Sequence, residues 1–360
     1  MADEAAWSPS SAAQVLVPFE MPPQVEAEAA CTRVSTWGMD PPPCFRRVSQ
    51  GEFLAQYTRP SKIGTGCIGR VYAAKCVGTG SLVAVRIASR NSDDCDRMQR
   101  EAQLLAHIGT HPNVVELQDA VCVPGVAMVI VLQLFDRTLL EHIRKTFGYA
   151  ARHSPHSKFV VRLQHQLQRG LAYIHHRGCL HRGLSSATVL LKGDMNPVDA
   201  WTAAIADFEQ GCVSTGHTVE ARALHTPCPV TRLPYRAPEL IPWRGQPYGA
   251  AVDVWSLGCV VADTLVGDVA FEVAVTESSA ENQYLKRVFG FLGVKPPASV
   301  VPHWEESSFV LSSRCESCRF SYATAGLPED SRALWLKMLQ IDPNSRILSR
   351  DFPASEPRST

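Results

Sequence analysis

The sequence predicts an α+β fold of two lobes, a strand-rich first part and a helix-rich second part. Three observations predict it. From Tyr57 onward apolar residues alternate or run in short stretches, as in "RVYAAKC", "LVAVRI" and "VAMVIVLQLF", which is the pattern of strands. From residue 161 the pattern changes to helical spacing, and past Pro238 the chain reads as helices and loops to about 347. The composition is that of an ordinary globular protein, with 45% hydrophobic and 19% charged residues over 360 positions. Two lobes predict a cleft between them, where ligands commonly bind.

Taken in order, residues 1–55 read as a disordered tail, rich in proline and alanine and poor in hydrophobic periodicity. Its Ser8-Pro9 has the form of a proline-directed modification site. The first lobe is expected over 56–136. It holds the strands named above and one amphipathic helix at 96–108, where Met98, Leu104, Leu105 and Ile108 fall on one face. The second lobe is expected over 137–348, beginning with a helix at 161–178 that tolerates Gly170 and ends on Gly178 as its C-cap. Residues 349–360 are a polar end.

Charge and cysteine usage narrow the class. Lys and Arg total 35 and Asp and Glu total 35, so no global electrostatic case exists for nucleic acid or an anionic membrane as partner. The longest apolar stretch, 126–135, is about half of what crosses a bilayer and reads as a buried strand. The first residues, "MADEAAWSPSS", lack the apolar core of a secretory signal. The 12 cysteines therefore read as reduced thiols of an intracellular protein, cytoplasmic or nuclear. Cys315 and Cys318 form a C-x-x-C, but a closed zinc site needs four ligands and His303 is the nearest extra candidate, so loop cysteines are the reading. Nothing near Cys67 clearly lowers its pKa.

The motifs carry more. Gly64, Gly66 and Gly69 form "GTGCIG" on a strand-turn-strand, where glycines let backbone approach a phosphate. A dinucleotide site would need a helix directly afterward, and "RVYAAKC" alternates as a strand instead. Then come "LVAVRI" at 82–87, Glu101 in the helix, "HPNVV" at 111–115, "LHRGLSSATVLL" at 180–191, "IADFEQG" at 205–211, "YRAPEL" at 235–240, "DVWSLGC" at 253–259 and "MLQIDPNSRI" at 338–347. In that order and over residues 57–347 the chain resembles the eukaryotic protein kinases. Within them it is most similar to the cyclin-dependent and MAP-kinase-like group, by "YRAPEL", "YGAAVDVWSLGC" and "YLKRVFGFLGVKP".

The resemblance assigns roles that this chain does not fill. Arg86 stands where the family has the phosphate-gripping lysine that pairs with Glu101. Gly183 stands for the catalytic aspartate, Ser185 for the following lysine and Thr188 for the metal-binding asparagine. Asp207, the metal-binding aspartate, is kept, but Glu209 replaces the glycine after it and is read as repelling phosphate, with a metal-carboxylate role as the alternative. Arg232 stands where a threonine is expected three residues before Tyr235. The scaffold is kept: Glu239 and Arg346 match a buried ion pair, Asp253 matches the helix aspartate beneath the catalytic loop, and His181 and Arg182 remain.

The resemblance therefore implies a catalytically impaired kinase homologue, a scaffold or allosteric partner of active kinases, their regulators or their substrates. Two alternatives stand beside it: a slow serine/threonine kinase rescued by Lys75 or Glu209, and a switch that binds ATP without turnover. ATP is the candidate cofactor, held by Gly64, Gly66, Gly69, Val71, Ala84, Arg86 and Glu101, with Mg2+ left open because Asp207 alone remains. Thr226 is a candidate phosphosite docking on Arg182, against the simpler reading of an unmodified loop residue. The helix stretch "CDRMQRE" shares only Arg100 and Glu101 with the P-S-T-A-I-R-E of cyclin-dependent kinases, which disfavours a cyclin as partner.

Overall fold

The computed structural model describes residues 45–66, 68–88, 92–123, 127–147, 157–194, 200–214, 231–241, 248–273, 280–294, 324 and 326–354. The chain divides into two compact units. The first runs through Gly109 and takes Val115–Leu134; the second takes Thr110–Val114 and everything from Phe135 onward.

Among the described residues the first unit is a six-stranded sheet with two helices. Strand β1 (Arg46–Arg47) precedes helix α1 (Gln50–Gln56), followed by β2 (Tyr57–Gly66), β3 (Gly69–Cys76), β4 (Leu82–Ala88), helix α2 (Ser92–Ile108), β5 (Leu117–Val123) and β6 (Ala127–Gln133). The spatial order is β1-β5-β6-β4-β3-β2, antiparallel except for β1, which lies parallel to β5. Because side chains alternate across a strand, the register sorts them onto two faces. Tyr72, Ala74, Val83, Val85, Ile87, Val129 and Val131 form one face, and its apolar cluster is completed by Val48, Phe53 and Tyr57. Val71, Ala84, Arg86 and Ile130 belong to the other face.

Residues 45–55, which composition places in the tail, thus belong to the folded unit. Ser49 and Glu52 cap α1 reciprocally: the Glu52 N–H donates to Ser49 Oγ at 3.2 Å, and the Ser49 N–H donates to Glu52 Oε2 at 2.7 Å. The capped helix delivers Phe53, fully buried, to the outer cluster. Arg46 pairs with Asp119, which also accepts the Tyr57 hydroxyl at 3.0 Å.

The second unit is built around α5 (Ala251–Val266), in which every residue from Val252 to Leu265 is buried. A helix buried all round belongs at the centre of a core. Helix α4 (Ser157–His176) packs on it with Leu163, Leu167, Leu171 and Ile174 inward, and α7 (Glu329–Met338) seats Trp335 so that its Nε1–H donates to the Gly258 carbonyl at 2.8 Å. Helix α3 (Leu139–Phe147) opens on a second capping box, Thr138 with Glu141, and α6 (Ala280–Leu292) adds Tyr284 and Phe289 to the core. Strands β7 (Arg137–Thr138), β9 (Val189–Gly193) and β10 (Trp201–Ile205) form a small antiparallel sheet in the order β10-β9-β7, and β8 (Cys179–Leu180) pairs with β11 (Cys212–Val213).

Gly170, which the sequence only tolerates within α4, is required there. A Cβ on it would lie 2.5 Å from the Asn113 carbonyl oxygen. The Asn113 side chain donates to Gln166 Oε1 at 3.0 Å and to the Ala203 carbonyl at 2.9 Å, locking the 111–115 segment onto α4 and β10. Gly178 follows α4 with φ of +70°, the left-handed conformation that favours glycine. The polar end is also partly folded: Ser349–Asp351 form a 3-10 turn with Ser349 buried. No helix among the described residues is long and apolar enough to cross a membrane.

Candidate functional site

The candidate residues of the first unit converge under the β2–β3 hairpin. Gly66 pairs with Gly69 across it, and Val71 lies directly opposite Arg86, whose strand neighbour on the far side is Ile130. Gly69 cannot carry a side chain, since its Cβ would fall 1.9 Å from the Ile87 carbonyl oxygen. Nothing crowds Gly64. At Gly66 the neighbour is Arg86 itself: its Nη2 lies 3.5 Å, and its Nε 3.8 Å, from where a Cβ would be. The same guanidinium donates through Nη1 to Glu101 Oε2 at 2.8 Å. Arg86 is 7% exposed and Glu101, on α2, is fully buried. Ala84, two residues back on β4, opposes Ala73 and Leu132.

Lys75 is exposed and opposes Leu82, four residues along the hairpin from the Val71–Arg86 pair. That separation is about 13 Å at ~3.3 Å per residue, beyond the reach of one side chain. Lys75 therefore does not take the place that Arg86 occupies.

In the second unit the candidate residues form a loop hung from α5. Asp253 accepts the backbone N–H of His181 at 2.8 Å and that of Arg182 at 2.7 Å, and its Oδ2 bonds His175 Nε2 at 3.0 Å. His175 Nδ1 in turn meets Ser349 Oγ at 2.7 Å. Burial pushes the Asp253 carboxyl up, but the bond to His175, electrostatic interaction with the His175 and His181 rings and the His181 N–H together pull it below the usual carboxylate range. A fully buried carboxylate thus organises the turn into the loop.

His181 is fully buried, and burial lowers its pKa against the opposing pull of Asp253 and the Ala206 carbonyl. Its bonds specify the tautomer. Nδ1 accepts the Gly183 N–H at 3.1 Å and Nε2 sits 3.0 Å from the Ala206 carbonyl oxygen, so Nε2 carries the proton and the ring is neutral. The ring also packs on Phe208, centroids 4.6 Å apart. Arg182 is held in the left-handed region at φ +62°, and Asp207 at +69°. Such values in residues with a Cβ mark locally strained backbone fixed by its surroundings.

The Gly183–Thr188 stretch is closed on itself. Thr188 Oγ1 accepts the Ser185 N–H at 2.9 Å and lies within 3.3 Å of the Gly183 carbonyl oxygen, 3.1 Å of the Ser185 carbonyl oxygen and 3.3 Å of Ser185 Oγ. Both Ser185 and Thr188 are buried. The hydroxyl at 188 is therefore used within its own loop. Gly183 leaves room: a Cβ there would meet Gln210 Cβ and His181 Cε1 and Nδ1 at 3.7 Å, ordinary contact distance. Asp207 is half-buried and Glu209 buried on the segment that follows. No group of three or more His, Cys, Asp or Glu that could hold a metal ion occurs among the described residues.

Around the loop lies a second layer that the sequence reading did not pick out. Ser186 Oγ and the Tyr235 hydroxyl both donate to Asp263 Oδ2 at 2.6 Å, while the Ala270 N–H donates to Oδ1 at 2.8 Å. Burial raises the Asp263 carboxyl to about 7 although these three donors oppose it. Thr231, at φ +69°, donates its hydroxyl to the Arg182 carbonyl at 2.7 Å. A threonine was expected at 232; the one that touches the loop is a residue earlier, with exposed Arg232 after it. The Arg182 side chain is buried and hydrogen-bonds the Cys212 thiol, whose pKa burial nevertheless raises. Thr226, Cys67, Cys315, Cys318 and His303 lie outside the described residues.

Farther from the loop, Arg346 binds Glu239 through two parallel bonds, Nη1 to Oε1 at 2.7 Å and Nη2 to Oε2 at 3.0 Å. It also donates to the carbonyls of Ala251 and Gln340 at 2.8 and 2.9 Å and stacks on Trp255 at 5.0 Å. This bidentate geometry is what a guanidinium offers and an ammonium does not.

Comparison with known proteins agrees with this layout. The protein kinase domain model matches residues 57–354. A cyclin-dependent kinase B2-1 of Oryza sativa subsp. japonica is 29% identical over 326 residues, covering 86% of this chain and 92% of the relative. A probable CTD kinase subunit alpha homolog of Encephalitozoon cuniculi is 30% identical over 232 residues, 62% of this chain and 64% of that protein. The mitogen-activated protein kinase 4 of Arabidopsis thaliana is 32% identical over 61% of this chain and 55% of its own length. Among solved structures, a chain from the CAK complex of Chaetomium thermophilum bound to ATP-gamma-S shares the fold at a TM-score of 0.64 and 21% identity, covering 83% of this chain and 90% of that one. With its strand-rich first unit, its helical second unit and a family match spanning most of its length, this chain belongs to the protein kinase family.

Proposed function

We propose that this protein is a kinase-fold interaction module that does not transfer phosphate, acting as a scaffold or allosteric partner of other proteins in phosphorylation signalling. The observation that carries the reading is the self-closed loop at 183–188. A loop that served phosphoryl transfer would hold a carboxylate for the substrate hydroxyl and a ligand for metal. This loop offers Gly183 and a threonine hydroxyl bonded to its own backbone. Of the family's magnesium ligands only Asp207 is kept, with Thr188 in place of the asparagine, so the residues present are a poor fit for magnesium. A general base contributes about 10²–10⁴-fold. Its loss together with a metal ligand and the phosphate lysine removes electrostatic positioning that Lys75 is too distant to restore.

The scaffold argues that the loss is not general decay. Asp253 and the Asp263 cluster tie the loop to α5, and the Glu239–Arg346 pair is kept farther from it. A shape retained without its reaction is suited to presenting surfaces to a partner protein. The test is transfer of labelled γ-phosphate from ATP to a generic protein acceptor by the purified chain, with Asp207→Ala as control. Magnesium-dependent transfer that disappears in Asp207→Ala would overturn the proposal.

A further inference from the structure

The place under Gly66 is filled by the protein itself. We infer that Arg86 is a built-in occupant of this place, excluding nucleotide and holding α2 in one position without any ligand. The inference deepens the non-transferring reading given above and rests on it. Glycines at 64 and 66 leave their side of the hairpin open to close approach, and the group that approaches is the Arg86 guanidinium, 3.5 Å from the Cβ position of Gly66. On its other side it grips Glu101 at 2.8 Å. Gly66 above is exposed while Arg86 is 7% exposed and Glu101 is fully buried, so the guanidinium is covered by backbone and seated on a carboxylate.

Two consequences follow for an arriving polyphosphate. The Nη1 donor of the guanidinium is already engaged by Glu101 at 2.8 Å. Its planar fork also takes up space that the compact head of a lysine leaves free. Moving it aside would strand a buried carboxylate, which is costly. The link between hairpin and α2, which a nucleotide could otherwise modulate, is thereby permanent. Partners of this unit then meet one conformation of α2 whatever the nucleotide concentration.

The test is equilibrium binding of a fluorescent ATP analogue carrying an N-methylanthraniloyl group, with and without Mg2+, to the full chain. Wild type is expected to show no saturable binding below about 1 mM. Arg86→Lys, and separately the double variant Arg86→Met with Glu101→Gln, are expected to gain saturable binding at least about tenfold tighter. The double variant avoids leaving the buried carboxylate alone. Wild-type binding in the micromolar range overturns the inference, as does a folded pair of variants that bind no better than wild type. Hydrogen exchange on wild type decides the matter if the variants do not fold: α2 amides protected without nucleotide and unchanged by ATP support the occupant, and protection that rises with ATP overturns it. Phosphate transfer by wild type would remove the non-transferring reading itself. Tight nucleotide binding without transfer would remove this inference alone.

Discussion

Replacing Gly183 with aspartate returns a carboxylate to the loop at small structural cost. The Cβ meets nothing nearer than 3.7 Å, and Gly183 is not among the residues with positive φ. Removing a glycine from a backbone that other residues accept stabilises by about 0.4–1 kcal/mol through the unfolded chain. Placing a carboxylate on a half-buried loop that precedes Asp207 and Glu209 opposes this by a similar amount. The net change should stay within about 1 kcal/mol, a melting shift of no more than about 2–4 °C. If the base were the sole deficit, activity would rise by about 10²–10⁴-fold. If Arg86 excludes nucleotide as proposed, none is seated for the base to serve, and Gly183→Asp alone is expected to transfer no phosphate. Arg86→Lys, Gly183→Asp and Thr188→Asn together are expected to transfer it. The assay is labelled γ-phosphate transfer alongside thermal melting of each variant. Transfer by Gly183→Asp alone would refute the exclusion argument. A triple variant that is folded and binds nucleotide yet remains silent would refute the claim that these three positions account for the loss.

Three further outcomes are expected. Asp253→Ala strands the buried N–H groups of His181 and Arg182 at about 1–3 kcal/mol each, while Asp253→Asn, with one oxygen left to accept, should cost less; denaturant unfolding would order the two. Glu239→Ala leaves the fully buried Arg346 guanidinium without its carboxylate, a loss of about 3–5 kcal/mol readable in the same assay. His181 and His142 both have pKa values lowered first by burial, His142 to about 4, so the folded state favours their neutral forms. The stability this contributes is complete above the ordinary histidine value near 6.5 and is lost as pH falls from there toward the folded values. Melting temperature should therefore drop between about pH 7 and about pH 4.5, with a shallower drop in His142→Gln; an equal drop in that variant would count against the His142 contribution.

Much of the scaffold was legible because its signals are local. Strand alternation gave the sheet, and the spacing of Met98, Leu104, Leu105 and Ile108 gave α2, all four of them buried. The Ser49-x-x-Glu52 capping box is equally local, but proline content nearby masks it, and composition places residues 45–55 in the tail. Other features depend on pairs far apart in the chain. No pattern places Ser349 on His175 across 174 positions, or Ser186 and Tyr235 on one buried Asp263. Thr231 escaped notice for a different reason: one extra residue separates it from Tyr235, and only the backbone path shows which threonine reaches the loop. At position 86 the sequence could name the arginine but not its direction. That it lies against Gly66 is a matter of register and side-chain path.

The family match begins at Tyr57, one residue after α1 ends. A chain trimmed to that match would lose Val48 and Phe53 and lay bare the row of Tyr72, Val85 and Val131 that they help to cover. It would also lose β1, leaving the β5 edge open to pairing with other strands. Boundaries inferred from relatives would therefore produce a sticky, aggregation-prone fragment here. The unit of folding is wider than the unit of kinship, and work with this protein should keep at least residues 45–56.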